Sequence, residues 1–538
     1  MILTLVTILV FRVSAISWCK GGSMDCWSNR LMYQVITDRF GRVDLNPLEL
    51  NIAPCPDLRT YCGGTFRGIT KHLDYIQGLG AEAIWIDPIT ANSPGGYMGF
   101  WPISLHTINP HFGTEEDFRE LVNELHQRGM LIMIGLTANS MGHVWSDIPK
   151  MDPPFNDPST FNDCSQCKKY GGGKGGAGCN ATLCDCWIVD YDDPNQDVYC
   201  QLYGLPDVNQ ENPVARHALL SYARDIVKRF DIDGVRIDAV PYMPKEFWHE
   251  FSGAAGVMGI GEVETGNDKT VSAYVLEGAM NSTLNYPLYY QLLNCFTLAD
   301  VPSLDHTGSS QSRWGLDSLQ PFYAMQKATY GDVQKVLGNF VSNHDQARLD
   351  RVVSDPMLQA AMTLTMLTWV GIPIIYYGME QDLPTQDFEK YSFDSYRSPL
   401  WQHGYSTGSP WYQWLAAVGK LRRLLPREDF VDAELVELWS RPDVFVYTRG
   451  RVLIAVTNGG SLWPPINSSV STSLTSWPSG TALCNVFDVA DSIIVEQGFV
   501  KIALNHGESK LYAPCSVLPG TASQMKQDSD EDLVPLIM

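Results

Sequence analysis

Asp233-Gly-Val-Arg-Ile-Asp238 is a short β-type run closed by a carboxylate. Successive side chains of a strand point to opposite faces, so Arg236 and Asp238 share one face while Val235 and Ile237 share the other. The branched pair suits packing outward against helices, and the charged pair then faces inward at the strand's end. A guanidinium beside a carboxylate favours its ionised form, which is the state a nucleophile needs.

On both sides of this run, short β-type segments alternate with helical patterns, as βα units around a parallel sheet do. Met32-Tyr-Gln-Val-Ile36, Ala83-Ile-Trp-Ile86 and Leu131-Ile-Met-Ile134 read as strands. Residues 66–79 and 115–126 read as helices; Phe118, Leu121, Val122 and Leu125 share a face of the second, which Gly129 closes. About seventy residues rich in Cys, Gly, Pro and Asp then precede a helix over 212–230, and a loop of that length implies a domain of its own. The rhythm resumes at 234–237, 257–260, weakly near 283–286, then at 335–341 and 372–376, for about eight strands in all. Eight closes a (β/α)8 barrel. After Leu425 the pattern turns to short strands such as 444–447 and 452–456, broken by Gly, Pro and Ser, which predicts a C-terminal antiparallel β-sandwich. The expected layout is a barrel over 23–138 and 206–425, an insert after strand 3 over 139–205, and a sandwich over 426–518.

The chain has 538 residues, 45% of them apolar, enough for a large core and two or three domains. Its 38 basic and 60 acidic residues give a net charge of −22, which disfavours nucleic acid and anionic membranes but not an uncharged polymer. Residues 1–15 form a short apolar run ending in small residues, read as a secretory signal peptide, and no later run is long and apolar enough to span a bilayer. The tail over 519–538 is acidic and reads as disordered. A secreted, extracellular protein follows, free or held at a cell wall, and a monomer is expected. Thirteen cysteines agree with an oxidising compartment. Cys55 and Cys62 bracket a short loop, and Cys164, Cys167, Cys179, Cys184, Cys186 and Cys200 crowd one Gly-rich segment. No His lies in that cluster, so disulfides are favoured over a zinc knuckle. Asn180, Asn281 and Asn467 open glycosylation tripeptides.

Two more carboxylates end strand-like runs: Glu262 in Gly259-Ile-Gly-Glu-Val263 and Asp345 in Phe340-Val-Ser-Asn-His-Asp345. Partial burial near other acids would raise the pKa of Glu262 until it could protonate a leaving oxygen. Asp345, beside His344, could hold sugar hydroxyls and stabilise a cationic transition state. Taken singly each is a weak signal: an isolated Arg-x-Asp favours a buried structural ion pair, and the other two also read as an edge or surface Glu and a helix N-cap. All three at strand ends in this order point to one site.

These motifs resemble the conserved regions of the α-amylase family, glycoside hydrolase family 13, and above all secreted fungal α-amylases. Tyr61-Cys-Gly-Gly-Thr-Phe66, Leu73-Asp-Tyr-Ile-Gln-Gly-Leu79, Ala83-Ile-Trp-Ile86 and Gly371-Ile-Pro-Ile-Ile-Tyr376 extend the likeness over residues 27–515. The resemblance implies a (β/α)8 TIM barrel with an inserted domain B after strand 3 and a C-terminal antiparallel β-sandwich. It further implies Asp238 as nucleophile, Glu262 as general acid/base and Asp345 as transition-state stabiliser. Arg236, His344, Tyr97, Phe100, Trp101 and Arg397 would bind the sugar. A structural Ca2+ is implied at Asn139, Asn209 and the backbone carbonyl of Tyr242, with Asp207 near enough in sequence to offset the carboxylate that Asn209 replaces. Cys295 matches no partner in the family pattern.

The chain departs from that pattern beside the nucleophile. Gly135 replaces an Asp and so takes a carboxylate neighbour from Arg236; Ser140 and Met98 each replace a His; Pro241 and Tyr242 replace a Lys-His pair. One lost contact of this kind costs about 2–4 kcal/mol, roughly 30- to 1000-fold in rate. Three functions stay open in this order: an endo-acting α-1,4-glucan hydrolase, a 4-α-glucanotransferase like certain fungal cell-wall enzymes, and a feebly active glucan-binding protein.

Overall fold

The computed structural model describes residues 23–28, 30–43, 55–173, 186–297 and 314–518. The expected signal peptide and acidic tail, together with Cys179, Asn180 and Cys184, lie outside the described residues. Eight parallel strands form the centre: β1 (Met32–Val35), β2 (Ala83–Ile86), β3 (Leu131–Leu136), β4 (Gly234–Ile237), β5 (Met258–Gly261), β6 (Ser282–Thr283), β7 (Gly338–Asn339) and β8 (Ile372–Tyr376). Their order is β6-β5-β4-β3-β2-β1-β8-β7. A parallel bridge between Leu284 and Gly338 joins the two edges, so the sheet closes into a barrel.

The strands are buried throughout, because helices cover the outside and side chains fill the inside. The helix over Glu115–Gln127 shows how local chemistry sets the frame. Thr114 and Asp117 form a reciprocal capping box, and Gly129 adopts φ +72° just past the helix end. Phe118, Leu121, Val122 and Leu125 are buried as their spacing predicts, each contributing about 1.5–3 kcal/mol.

Several boundaries differ from the sequence reading. The helix expected over 66–79 breaks at His72, whose ring stacks on Tyr405 at 3.6 Å, leaving Phe66–Lys71 and Leu73–Gly78. The strand expected over 335–341 shrinks to Gly338–Asn339, because Gly331–Val336 forms a 3-10 turn. Near 283–286 the strand is Ser282–Thr283, and Tyr286 already opens a helix capped by Asn285.

Between β3 and the helix over Pro213–Phe230 the chain forms short helical turns held by the disulfides Cys164–Cys186 and Cys167–Cys200, which answer the zinc alternative. Cys55–Cys62 and Cys484–Cys515 are also joined. Cys295 is a buried thiol 3.5 Å from Ser318 Oγ.

After residue 425 come eight antiparallel strands: β9 (Leu435–Arg441), β10 (Val444–Arg449), β11 (Val452–Thr457), β12 (Ile466–Ser471), β13 (Ala482–Asn485), β14 (Ser492–Ile494), β15 (Phe499–Leu504) and β16 (Lys510–Pro514). Six form a sheet in the order β14-β13-β16-β11-β10-β9, and β12 pairs with β15 above it. Val444, Val446, Leu453 and Ala455 face Val470, Val500 and Ile502 in the sandwich core. The alternate residues Phe445, Tyr447 and Ile454 join the barrel's core instead, so β10 and β11 are buried on both faces. No described helix is long and apolar enough to cross a membrane.

Candidate active site

The predicted acids all come from the C-terminal ends of strands, the end of such barrels where chemistry gathers. Asp238 follows β4, Glu262 follows β5 and Asp345 lies six residues past β7. Arg236, fully buried on β4, holds two of them. Its Nη1 donates to Asp238 Oδ1, and its Nη2 pairs with Glu262 Oε1. The guanidinium lies 5.5 Å from the ring of Trp85 and 5.6 Å from that of Phe100.

A second cluster holds Asp345. Its Oδ2 lies 2.8 Å from His344 Nε2, and its Oδ1 accepts from Arg397 Nη2 at 2.9 Å. Gln34 Nε2 on β1 is 2.8 Å from His344 Nδ1, and the imidazole stacks parallel on Phe100 at 5.6 Å. Arg397 also donates to the His344 carbonyl and to Asp394.

These surroundings push two of the acids in opposite directions. Burial raises Glu262; Arg236 opposes the rise, the charges of Asp238 and Asp345 add to it, and the carboxyl comes to about 7. Burial would raise Asp345 too, but His344 and Arg397 outweigh it and hold the carboxyl well below the usual range. Glu262 therefore keeps its proton to higher pH than an ordinary carboxyl, while Asp345 stays ionised. Ala239, next to Asp238, sits at φ +53°, a sparsely populated conformation that aims its N–H at Glu262 Oε2, 3.1 Å away.

The aromatic residues divide. Phe100 and Trp101 are partly exposed, with Trp101 stacked on His143 at 3.7 Å. Tyr97 is buried; its hydroxyl bonds to Asp394 and Arg397, and the Arg39 guanidinium covers its ring at 3.8 Å. It therefore braces Arg397 from beneath. Met98 is buried in the core, and Ser140 pairs with Asp207 across a short bridge.

Of the expected calcium ligands, Asn209 accepts with its side-chain oxygen from the N–H groups of Glu211 and Asn212, at 2.9 and 3.1 Å. Asn139 Oδ1 is buried without a hydrogen-bond partner, which suits a cation. Tyr242 ends a 3-10 turn over Val240–Tyr242. Asp207 is buried with one partner, Asn162 at 2.8 Å, and burial pushes its pKa well up. No cluster of three or more His, Cys, Asp or Glu suited to a metal occurs among the described residues.

Sequence reasoning missed four residues that build the site: Gln34, Trp85, Asp87 and Asp394. Asp87 was within reach, because it follows β2 as Asp238 follows β4. Asp394 and Gln34 carry no local signal.

Comparison with known proteins agrees with this geometry. The family description "Alpha amylase, catalytic domain" matches residues 34–422. Alpha-amylase 2 of Schwanniomyces occidentalis is 31% identical over 513 residues, covering 91% of each chain. Alpha-amylase 2 of Schizosaccharomyces pombe is 31% identical over 528 residues, 94% of this chain and 82% of that one. The solved α-amylase of Malbranchea cinnamomea superposes with a TM-score of 0.78 at 30% identity, covering 93% of this chain and 99% of that one. With this fold, these strand-end carboxylates and that span of likeness, the chain belongs to the α-amylase family and is a glycoside hydrolase.

Proposed function

We propose that this enzyme is a retaining α-glucan hydrolase that cuts internal α-1,4 bonds of starch- or glycogen-like chains. The observation that carries the reading is the single guanidinium of Arg236 in contact with both Asp238 and Glu262. Two carboxylates sharing one guanidinium suit the spacing of about 5–5.5 Å that retention demands. Asp238 attacks the anomeric carbon while protonated Glu262 gives its proton to the departing glycosidic oxygen. The covalent glycosyl-enzyme is then opened by water, whose proton returns to Glu262, with net retention. Asp345, His344 and Arg397 hold hydroxyls of the reacting sugar, and the charge of Asp345 stabilises the oxocarbenium-like transition state. Phe100 and Trp101 offer faces for stacking.

Calcium, held by Asn139 Oδ1 and the Tyr242 carbonyl with Asp207 as the nearby carboxylate, would brace the insert against the barrel. It would take no part in proton transfer. Asn209 stands as a neutral amide where the family has a carboxylate, so the ligand charge is low and the ion would bind weakly. The layout proposed is the barrel over 23–138 and 206–425, the insert over 139–205 and the sandwich over 426–518. The disulfides support secretion.

A second reading, 4-α-glucanotransfer, draws support from the leaving-group side. There Pro241 and Tyr242 follow the nucleophile, and Tyr203 of the insert is 63% exposed at φ +52°. Aromatic faces would favour a sugar acceptor over water. Product profiling of maltoheptaose digests decides between them. Only shorter chains support hydrolysis, longer chains appearing beside shorter ones support transfer, and an unchanged substrate rejects both and leaves a glucan-binding protein.

A further inference from the structure

Asp87 is the first residue after β2 and is 2% exposed, yet neither of its carboxylate oxygens has a hydrogen-bond partner. A buried carboxylate in that condition costs several kcal/mol unless opposite charge is close by. The strand register shows where that charge is. Ile86 pairs with Ile134, so the next step of the ladder sets Asp87 beside Gly135, and Gly135 pairs with Arg236 on β4. Side chains in one register row of parallel strands point the same way. Trp85, two residues before Asp87, faces inward with its ring at Arg236 and His344, so Asp87 faces inward too. Asp87 and Arg236 therefore look into the same layer, with only a glycine between them.

That glycine is required by the arrangement. A Cβ on Gly135 would come within 2.7 Å of Pro88 Cδ and 3.0 Å of Pro88 N, so any side chain there would displace the turn that carries Asp87. Across the gap, Arg236 has donated Nη1 to Asp238 and turned Nη2 to Glu262, while its Nε–H is buried with no hydrogen-bond partner. An unmatched donor and two unmatched acceptors share one buried layer.

We propose that Asp87 is a positioning residue of this site: facing Arg236 across Gly135, its carboxylate supplies the counter-charge that holds the guanidinium against Asp238 and Glu262. Burial raises Asp87 to about 6, and the charges of His344 and Arg236 oppose that rise. The reciprocal effect falls on His344. Burial would lower the imidazole's pKa, but Asp345 and then Asp87 raise it, against Arg236. Around that imidazole the charged and titratable groups are Asp345 and Arg397 from the β7 and β8 side, Asp87 from β2, Arg236 from β4, and Glu262 and Glu264 beyond β5. Gln34 from β1 is neutral.

The test is the titration of His344 in the unliganded full chain, followed by NMR of imidazole-labelled protein and assigned with His344→Gln. In Asp87→Asn, His344 titrates lower by about one pH unit. On maltoheptaose the same variant loses roughly tenfold or more in kcat, with KM within about threefold, because positioning acts on the transition state. A folded Asp87→Asn with an unmoved His344 titration overturns the inference, as does a shifted titration with unchanged kcat. Asp87→Ser serves if the Asn variant does not fold, and failure of both to fold assigns the carboxylate to the fold alone, which also overturns it. The kinetic arm rests on the proposed glycosidase activity and the titration does not. A wild type without turnover defeats the proposed function, while the titration still decides on Asp87.

Discussion

Arg397 and Asp345 lie 52 residues apart in the chain and meet through a 2.9 Å contact between Nη2 and Oδ1. The contact leaves Asp345 Oδ2 to His344 and keeps a buried carboxylate ionised. Replacing Arg397 by Met should lower kcat/KM on maltoheptaose about 30- to 1000-fold, the cost of losing 2–4 kcal/mol of transition-state stabilisation. Circular dichroism should stay that of the wild type. A loss below about threefold would remove Arg397 from the site.

Glu262 sets the pH dependence. A general acid must carry its proton, and a carboxyl raised to about 7 is protonated below that pH and loses its proton above it. The activity should therefore fall as pH rises through about 7. Asp345, held low, adds no limb in that range. Glu262→Gln should abolish turnover and leave the melting temperature within a few degrees. Activity retained in that variant would reassign the acid.

Cys167–Cys200 closes a loop with a sequence separation of 33 in the insert. Chain-entropy arithmetic gives such a cross-link about 3–4 kcal/mol. The double variant Cys167→Ala/Cys200→Ala should be cut by protease within 139–205 under conditions in which the wild type survives. Equal resistance would mean that the remaining contacts hold the segment unaided.

Calcium should matter little. If Asn139 and Asp207 hold the ion with a neutral amide at Asn209, a chelator should lower the melting temperature by about 1–2 °C, and Ca2+ should restore it. A drop of ~10 °C would show a strong site.

Most of the barrel was legible because burial on both faces writes itself into composition. β2 and β8 lie where their unbroken apolar residues place them. β6 and β7, only two residues each, were blurred, because Ser282-Thr283 and Gly338-Asn339 carry no apolar run. Among the site residues, Asp238, Glu262 and Asp345 stood out because each closes a strand-like run in a distinct motif, although the strand before Asp345 ends at Asn339. Tyr97 read as a sugar-binding residue, but the cover of its ring by Arg39 and the hold of Asp394 on its hydroxyl come from distant segments that no local motif announces.

By itself the sequence determined which residues would form strands, which carboxylates would sit at strand ends and which family the chain resembles, because periodicity and short motifs are local properties. Only the tertiary structure decided that one arginine touches both Asp238 and Glu262, that Asn209 caps a loop, and that Asp87 faces Arg236 over a glycine. Those relations depend on strand register and barrel closure, which bring together groups that no sequence window contains.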